Sequence, residues 1–410
     1  MTVLNSSLFA KRVLHAGLSA LITSLGIGLA TPAAAQFIPN ETLVSPHPGL
    51  IDLEFSQSRA KFAWTDPKGV LWLGGVNRDT GAFEPLSGQG KQIDTNTVAN
   101  WNMFMWNGPE WLSMASGEQI YYSYYLPGKP LVAANVRMRL AVQDKTGEWV
   151  KKELGPVAPA RMSHIASKDK GDPNPRIKYL DPQQNQYWRN VLNPSSEEML
   201  TFIPPSTKSW RFASGMRALL YTQEVGGIPQ VFAYMLDTRV SEQLTFDSGA
   251  KDTGRTVPWI WQAPEFDNDF VLATVVDATE VRVYRRFPGP GGVLQWQPIY
   301  SNRLPAGIAP GSPEWFTYRN KSYLFMAGFV APNDYPTEIW LTNIDATAPL
   351  MRRITDNTLY RARNDPEVFI TTKGPLIYYN RYDPSIDPAH PLCGECSEGV
   401  FRADPGLGAP

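Results

Sequence analysis

The stretch "APEFDNDFVLATVV" (residues 263–276) joins a short Pro-Glu-aromatic motif to a run of apolar residues. Related motifs occur elsewhere in the chain: "GPEW" at 108–111, "SPEW" at 312–315, "DPEV" at 365–368 and the looser "DLEF" at 52–55. Each copy sets a Glu before a bulky apolar residue and is followed by an apolar segment. A motif that recurs in this way indicates a structural unit repeated along the chain.

The spacing of the motif gives the number of units. Its Glu recurs at five positions, and two weaker copies, "PARMSHIAS" from residue 159 and "KSWRFAS" from residue 208, fill the long gap with an Arg in the same place. We call these seven positions the slot residues. They are 49 to 56 residues apart: Glu54, Glu110, Arg161, Arg211, Glu265, Glu314 and Glu367.

Each unit contains short strands and no helix. The first unit reads "DLEFS", "AKFAWTD", "GVLWLGGVN" and "AFEPL", with the turn formers "DPKG" and "RDTG" at two corners. No apolar periodicity of helical length occurs beyond the N-terminal segment. Repeated four-stranded units of this length predict an all-β fold, a seven-bladed β-propeller with four-stranded blades.

The two ends of the repeat region predict how the ring closes. The last unit, with "EVFITT", "LIYYNRY" and "GVFRAD", offers one strand fewer than the others, and residues 37–45, "FIPNETLVS", belong to no unit. We expect this N-terminal segment to supply the missing strand of the blade that contains Glu367, which leaves no open strand edge. Residues 36–410 would then form a single propeller domain.

Residues 1–35 have the pattern of a signal peptide. Lys11 and Arg12 precede an apolar stretch at 16–30, and Ala33 and Ala35 satisfy the small-residue rule for cleavage before Gln36. No later segment is long and apolar enough to span a membrane. We therefore expect an exported protein, periplasmic or secreted.

The charge balance argues against polyanionic partners. The chain carries 38 basic and 39 acidic residues and has no basic tract. Nucleic acid and anionic membrane surfaces are therefore not expected as partners. We expect the propeller to be a monomer.

The segment "GPEWLSMASGEQIYYS" resembles the repeat of TolB-like β-propellers, a WD40-like family whose units read Pro-x-Trp-Ser, a turn and an apolar strand. "SPEWFTYRNKSYLF" and "KSWRFASGMRALLYTQ" are degenerate copies, and the usual Pro-Asp-Gly turn is missing. The resemblance implies an exported propeller. It carries over no catalytic residue, since this repeat is a structural signature.

The slot residues are the first candidates for a functional site. Neighbouring residues of a strand point to opposite sides. If the aromatic residue after the slot packs between blades, as we expect for Phe55, Trp111, Phe266 and Trp315, the slot side chain can face the central channel. The alternative is that each slot Glu pairs with the neighbouring blade. The channel reading predicts a ligand site, anionic on one arc and cationic on the other, formed by Glu110, Arg161, His164, Arg211, Glu265, Glu314 and Glu367.

Crowded carboxylates allow several kinds of chemistry. Their pKa values rise, or a cation such as Ca²⁺ binds at the channel, or the two Arg residues neutralise them. His164, Glu314 and Glu367 are the candidates for general acid or base. The hydrolase nucleophile elbow, the zinc-protease helix, the P-loop and the dinucleotide fingerprint are all absent from the sequence.

The only two cysteines, Cys393 and Cys396, form the motif "CGEC". In an exported protein this spacing predicts a local disulfide. The alternatives are a redox motif or, with His390, a metal site.

These observations favour a binding module that holds a peptide, a partner protein or a glycan at the channel mouth. The alternative is a polysaccharide hydrolase or lyase that uses the channel carboxylates or His164 as acid and base. A third reading is a structural protein of the cell envelope.

The signal-peptide assignment predicts that the exported chain begins at Gln36. Expression of the full chain in a secreting bacterial host, with N-terminal sequencing of the periplasmic or secreted protein, should give "QFIPN". The variant Ala35→Arg should remain unprocessed, because the residue before the cleavage site must be small. A native chain that keeps residues 1–35 would contradict the assignment.

Overall fold

A computed structural model describes residues 37–98, 108–130, 132–154, 161–166, 172–181, 183, 185–202, 211–251, 258–292, 294–330 and 335–408. For residues 161–166 it describes the backbone only. The described chain forms seven antiparallel sheets, each of four strands in a row, with a fifth strand added in one sheet. The prediction of an all-β fold with seven four-stranded blades is confirmed.

The blades follow one another along the chain, and only β1 (Thr42–Ser45) is displaced, since it belongs to the last blade. Blade 1 contains β2 (Glu54–Ser56), β3 (Lys61–Thr65), β4 (Leu71–Val76), β5 (Phe83–Glu84) and the additional β6 (Lys91–Asp94). Blade 2 contains β7 (Glu110–Met114), β8 (Gly117–Tyr125), β9 (Val136–Gln143) and β10 (Trp149–Glu153). Blade 3 contains β11 (Arg161–Ala166), β12 (Arg176–Leu180), β13 (Gln186–Asn190) and β14 (Asn193–Met199).

The second half of the ring repeats the same order. Blade 4 contains β15 (Arg211–Ala213), β16 (Ala218–Val225), β17 (Ile228–Met235) and β18 (Val240–Gln243). Blade 5 contains β19 (Trp259–Ala263), β20 (Asp269–Val276), β21 (Glu280–Pro288) and β22 (Leu294–Arg303). Blade 6 contains β23 (Ile308–Tyr318), β24 (Lys321–Val330), β25 (Thr337–Asn343) and β26 (Met351–Arg353). Blade 7 contains β27 (Ala362–Thr371), β28 (Gly374–Tyr382), β29 (Ser397–Ala403) and β1.

Short 3-10 turns are the only helical elements in the described chain: Ala133–Asn135, Pro264–Phe266 and Pro290–Gly292. Within the same ranges, no helix has the length and apolar character needed to cross a membrane. Residues 1–36 lie outside the described residues, so the signal peptide stays a prediction.

Strand β6 was not expected from the sequence. β5 is only two residues long and pairs with Gly75 and Val76 at the end of β4. The first half of β4 would otherwise be left as an open edge, and β6 pairs with it from Leu71 to Leu73. The extra strand therefore protects an edge that β5 does not cover.

The first strands of consecutive blades surround the central channel. β2 contacts both β7 and β27, and the series continues through β11, β15, β19 and β23. The aromatic residues after the slot pack between blades, as predicted. Phe55 of blade 1 lies 4.9 Å from the ring of Tyr378 in blade 7, and Trp315 of blade 6 stacks on Trp261 of blade 5 at 5.2 Å.

Strand β1 closes the ring, as the missing strand of the last unit predicted. It pairs with β29, so the N-terminal segment forms the outermost strand of the blade that contains Glu367. Glu41, next to β1, accepts two hydrogen bonds of 2.8 Å from the Arg363 guanidinium and one of 2.7 Å from the Tyr379 hydroxyl. The side chains of Arg363 and Glu41 are 0% and 5% exposed, so the ion pair is buried inside blade 7.

The Cys393–Cys396 disulfide is present, as predicted. Cys396 packs with Ala362 and Tyr382, so the bridge ties the long β28–β29 loop to the start of β27. Because both sulfurs are used in this bond, they are not metal ligands in this structure, and the redox alternative for "CGEC" stays a prediction.

The variant Glu41→Ala should destabilise the fold by about 3–5 kcal/mol, because it leaves the buried Arg363 guanidinium without its counter-ion. The matched control is Asp237→Ala, which removes a carboxylate that also takes two 2.8 Å bonds from one Arg, Arg217, but at the surface. An exposed pair contributes about 1 kcal/mol or less. Urea unfolding of both variants measures the difference. Equal losses of stability would contradict the role of Glu41 in closing the ring.

Candidate functional site

Five of the slot residues occupy one common place in their blades. Glu54, Glu110 and Arg211 each begin the first strand of a blade. Glu314 and Glu367 lie within β23 and β27, each directly after an irregularity in the strand pairing. All five are paired with the second strand of their own blade. They therefore lie at one level of the channel, which we call the channel mouth. In blades 1, 2 and 4 the inner strand begins at this level, whereas the longer strands β23 and β27 begin before it.

The mouth brings carboxylates from four blades close to one arginine. Arg211 interacts electrostatically with Glu314, Glu110, Glu367 and Glu54. Such interactions weaken with distance, so these side chains share one region. The carboxylates come from blades 6, 7, 1 and 2, which are consecutive in the closed ring. We call them the acidic arc.

Arg211 stands across the mouth, on blade 4. Its guanidinium lies 3.2 Å from the centroid of the Trp259 ring of blade 5. Burial lowers the pKa of Arg211 to about 10, against the opposing effect of the four Glu charges. The side chain therefore remains cationic at neutral pH, and its orientation is fixed by the indole beneath it.

Two further carboxyls complete the acidic arc, and sequence reasoning did not select them. Asp52 of blade 1 hydrogen-bonds Asp365 of blade 7 across the ring closure, and the backbone N–H of Gly108 in blade 2 donates to Asp52 Oδ2. Burial and the charge of Asp365 raise the pKa of Asp52 well above its ordinary value. Burial and the charges of Glu54 and Glu314 raise the pKa of Asp365 to about 7. The two carboxyls therefore share a proton at neutral pH.

The local backbone explains how the pair can form. Asp52 and Asp365 both have φ of 54°, in the left-handed region that Asp tolerates better than most residues. A Cβ at Gly108 would lie 2.6 Å from Asp52 Oδ2, so only glycine allows its N–H to approach this carboxyl. The sequence did carry a signal, since both Asp residues stand two positions before a slot Glu. It gave no sign that blades 7 and 1 would bring them together.

Glu265 does not lie in the channel-lining part of its blade, and its alignment with the other slot residues is wrong. It belongs to the 3-10 turn Pro264–Phe266, after β19 has ended. Trp259, six residues earlier, begins β19 and takes the equivalent place. The Glu265 carboxylate accepts hydrogen bonds from the Ser322 N–H at 2.7 Å and the Ser322 hydroxyl at 2.8 Å, both in blade 6. Glu265 therefore fits the alternative interpretation from the sequence, in which a slot Glu pairs with the neighbouring blade.

Arg161 and His164 both lie in β11, the inner strand of blade 3. Arg161 begins the strand and is paired with Leu180 of β12, as the five slot residues at the channel mouth are with the second strands of their blades. The side chains of both residues lie outside the described part of the structure, so their roles in ligand binding or catalysis stay predictions.

The described residues offer no ready metal centre. Nowhere in the described ranges do three or more His, Cys, Asp or Glu side chains lie in an arrangement that could hold a metal ion. The proposal of Ca²⁺ at the channel therefore gains no candidate ligand set from the described carboxylates. What the mouth does offer is negative potential on one arc, a half-buried cation on the other side and one exchangeable proton between two Asp residues.

No family model matches the chain, and no curated protein matches its sequence. The chain is similar to the β-propeller domain of Cps50 (Swd1) from Myceliophteria thermophila, with 9% identity, 89% of this chain and 97% of that chain covered, and a TM-score of 0.49. It is also similar to the Dos1 propeller, with 9% identity, 89% and 94% covered, and a TM-score of 0.46. Because both TM-scores are below 0.5, neither likeness carries an argument about this chain.

The Asp52–Asp365 pair predicts how stability changes with pH. Both carboxyls have a folded-state pKa above the ordinary 3.8, so the folded protein binds more protons than the unfolded chain above that pH. The contribution of Asp365 is full below about pH 4 and is lost as the pH rises through about 7. The variant Asp365→Asn should make the free energy of unfolding fall less steeply with pH. The slope should change by at most about 1.4 kcal/mol per pH unit for one proton.

Thermal unfolding between acidic and mildly alkaline pH measures the effect. The matched control is Asp267→Asn, since Asp267 also has a left-handed backbone, with φ of 55°, but is exposed. It should leave the pH profile unchanged. Parallel profiles for native protein and Asp365→Asn would show that the pair does not bind the extra proton.

Proposed function

We propose that this protein is an exported binding propeller that holds a peptide segment of a partner at the channel mouth, through a positively charged group of that segment. The observation that carries the proposal is the convergence of carboxylates from four consecutive blades on one side of the mouth, opposite Arg211. Such a field attracts and orients a lysine side chain or a peptide amino terminus. Export rests on the predicted signal peptide and on the resemblance to TolB-like repeats.

The raised pKa of Asp365 supports a cationic ligand. Besides burial, the negative charges of Glu54, Glu314 and Glu110 raise this pKa, because they disfavour a further negative charge on Asp365. A cationic group at the mouth would offset this repulsion. Binding is therefore expected to release the shared proton and to lower the pKa of the Asp52–Asp365 pair.

An apolar surface next to the acidic arc supports a peptide over a small ion. Leu359, Tyr360, Ile386 and Leu392 are 45%, 49%, 58% and 40% exposed. They lie in the two loops that flank the paired ends Ala362 and Tyr382, at the end of blade 7 where β27 begins. The disulfide in one loop and the 3.2 Å Arg361–Asp383 ion pair between the loops hold this surface in place. Apolar side chains of a peptide would pack on it.

The alternative is a polysaccharide hydrolase or lyase. One observation favours it: a carboxyl with a pKa of about 7, Asp365, could act as general acid or base at neutral pH. His164, Glu314 and Glu367 remain the other candidates for that reaction. Release of reducing ends from a polysaccharide, abolished by Asp365→Asn, would favour the enzyme over the binding module.

The variant Glu314→Gln tests the binding site, because it keeps the shape of the side chain and removes one charge. Screening an array of short lysine-containing peptides against the native propeller should find binders. Glu314→Gln should weaken their binding about tenfold, as expected for a lost charge-assisted contact, and should leave the melting temperature within a few degrees.

The matched control is Glu242→Gln on the exposed outer strand of blade 4, which should bind as the native protein does. Two outcomes would contradict the proposal. One is equal binding of the array by native protein and Glu314→Gln. The other is a Glu314→Gln variant that unfolds, which would make the slot structural.

A further inference from the structure

A cleft between blades 5 and 6 lies at the end of the strands opposite the channel mouth. Its volume is about 270 Å³, and it opens beside the hairpins β19–β20, β23–β24 and β25–β26. The "APEF" motif, which the sequence assigned to the channel, contributes Glu265 and Phe266 to its wall. The channel function therefore does not use this copy of the motif.

The floor of the cleft is apolar. Phe266 and Ile299 pack against the hydrophobic cluster shared by blades 5 and 6, and Ile344, 1% exposed, belongs to that cluster. A cavity of about 150 Å³ suffices for a benzene ring. The cleft therefore has room for one aromatic ring or a branched aliphatic group with a short polar extension.

Three of the four carboxylate oxygens in the wall of the cleft already accept hydrogen bonds, and the exception is Asp345 Oδ2. Both oxygens of Glu265 are bonded by Ser322, as described above. Asp345 Oδ1 accepts from the Thr347 N–H at 3.0 Å, the Thr347 hydroxyl at 2.6 Å and the Ala348 N–H at 3.2 Å. Few acceptors of the protein are therefore left for the hydrogen-bond donors of a ligand.

The hydrogen-bond donors around the cleft can form further bonds. The Lys321 ammonium group is 54% exposed, and its nearest carboxylate oxygen, Asp345 Oδ2, is 3.7 Å away, too far for a hydrogen bond. Arg285 directs Nε and Nη2 to a single oxygen of Asp269. Its guanidinium also lies 4.7 Å from the ring centroid of Phe266, directly beside the apolar floor. The wall thus offers two cations next to an apolar surface, each paired with one carboxylate and each with N–H groups left to donate.

We propose that this cleft binds a small carboxylic acid with an aromatic or branched aliphatic body. The body would pack on Phe266, Ile299 and Ile344, and the carboxylate would accept hydrogen bonds from Lys321 and Arg285. A carboxylate suits the wall because it supplies acceptors for the N–H groups of Lys321 and Arg285 that Asp345 and Asp269 leave unbonded. The site shares no residue with the acidic arc, so it does not depend on the function proposed for the channel.

The test compares 3-phenylpropionate with 3-phenylpropan-1-ol, which has the same ring and chain but no charge. Ligand-observed NMR titration of the folded propeller should show the acid binding about tenfold more tightly than the alcohol. The variant Lys321→Gln should weaken binding of the acid several-fold and leave the alcohol unchanged. The exposed Lys68→Gln on blade 1 is the matched control and should change neither.

A second variant tests the location. Ala346 lines the cleft and is exposed, so Ala346→Trp should block the opening without disturbing the core, and both probes should lose affinity. Three outcomes would overturn the proposal: equal affinity for acid and alcohol, acid binding unaffected by Lys321→Gln and Ala346→Trp, or binding of neither probe up to about 10 mM.

Discussion

The ring of blades is held closed by one short strand, β1, which arrives from the other end of the chain. Each blade packs only on its two neighbours, as in repeat architectures generally, and blades 1 and 7 also meet through side-chain contacts such as Phe55 on Tyr378. The pairing of β1 adds a backbone link, because β1 enters blade 7 from the segment that leads into blade 1. The backbone ladder with β29 supplies part of the closure. The buried Glu41–Arg363 pair fixes its register, because a shifted strand would leave two charges without partners inside blade 7.

The same closure creates the electrostatic character of the channel mouth. Asp52 and Asp365 belong to the first and last blades and become neighbours only when these blades meet. Together with the Glu residues of the arc they form an arrangement that repels itself. The fold tolerates it by retaining a proton, by the Gly108 N–H and by Arg211 across the mouth. Local rules are broken in this way mostly where function requires it.

One recurring motif serves two faces of the molecule. At the mouth, the slot Glu lies at or near the start of an inner strand and faces other carboxylates. In blade 5 the same motif forms the turn after the inner strand. There Glu265 bonds blade 6 through Ser322, and Phe266 lines the cleft between the two blades. The propeller therefore offers a cluster of carboxyl groups at one end and an apolar cleft bordered by charged side chains at the other.

The sequence by itself determined the repeat, the strand content, the closure by the N-terminal segment and the disulfide. All of these follow from local patterns: period, alternation, turn residues and the short Cys spacing. It also selected Glu110, Arg211, Glu314 and Glu367, because they share a place in a periodic unit. Only the tertiary structure decided that Asp52 meets Asp365 and that Glu265 leaves the channel for Ser322. Contacts between distant segments depend on how the blades are oriented and how the ring closes. A repeat pattern places each residue only to within a few positions, so it does not specify these contacts.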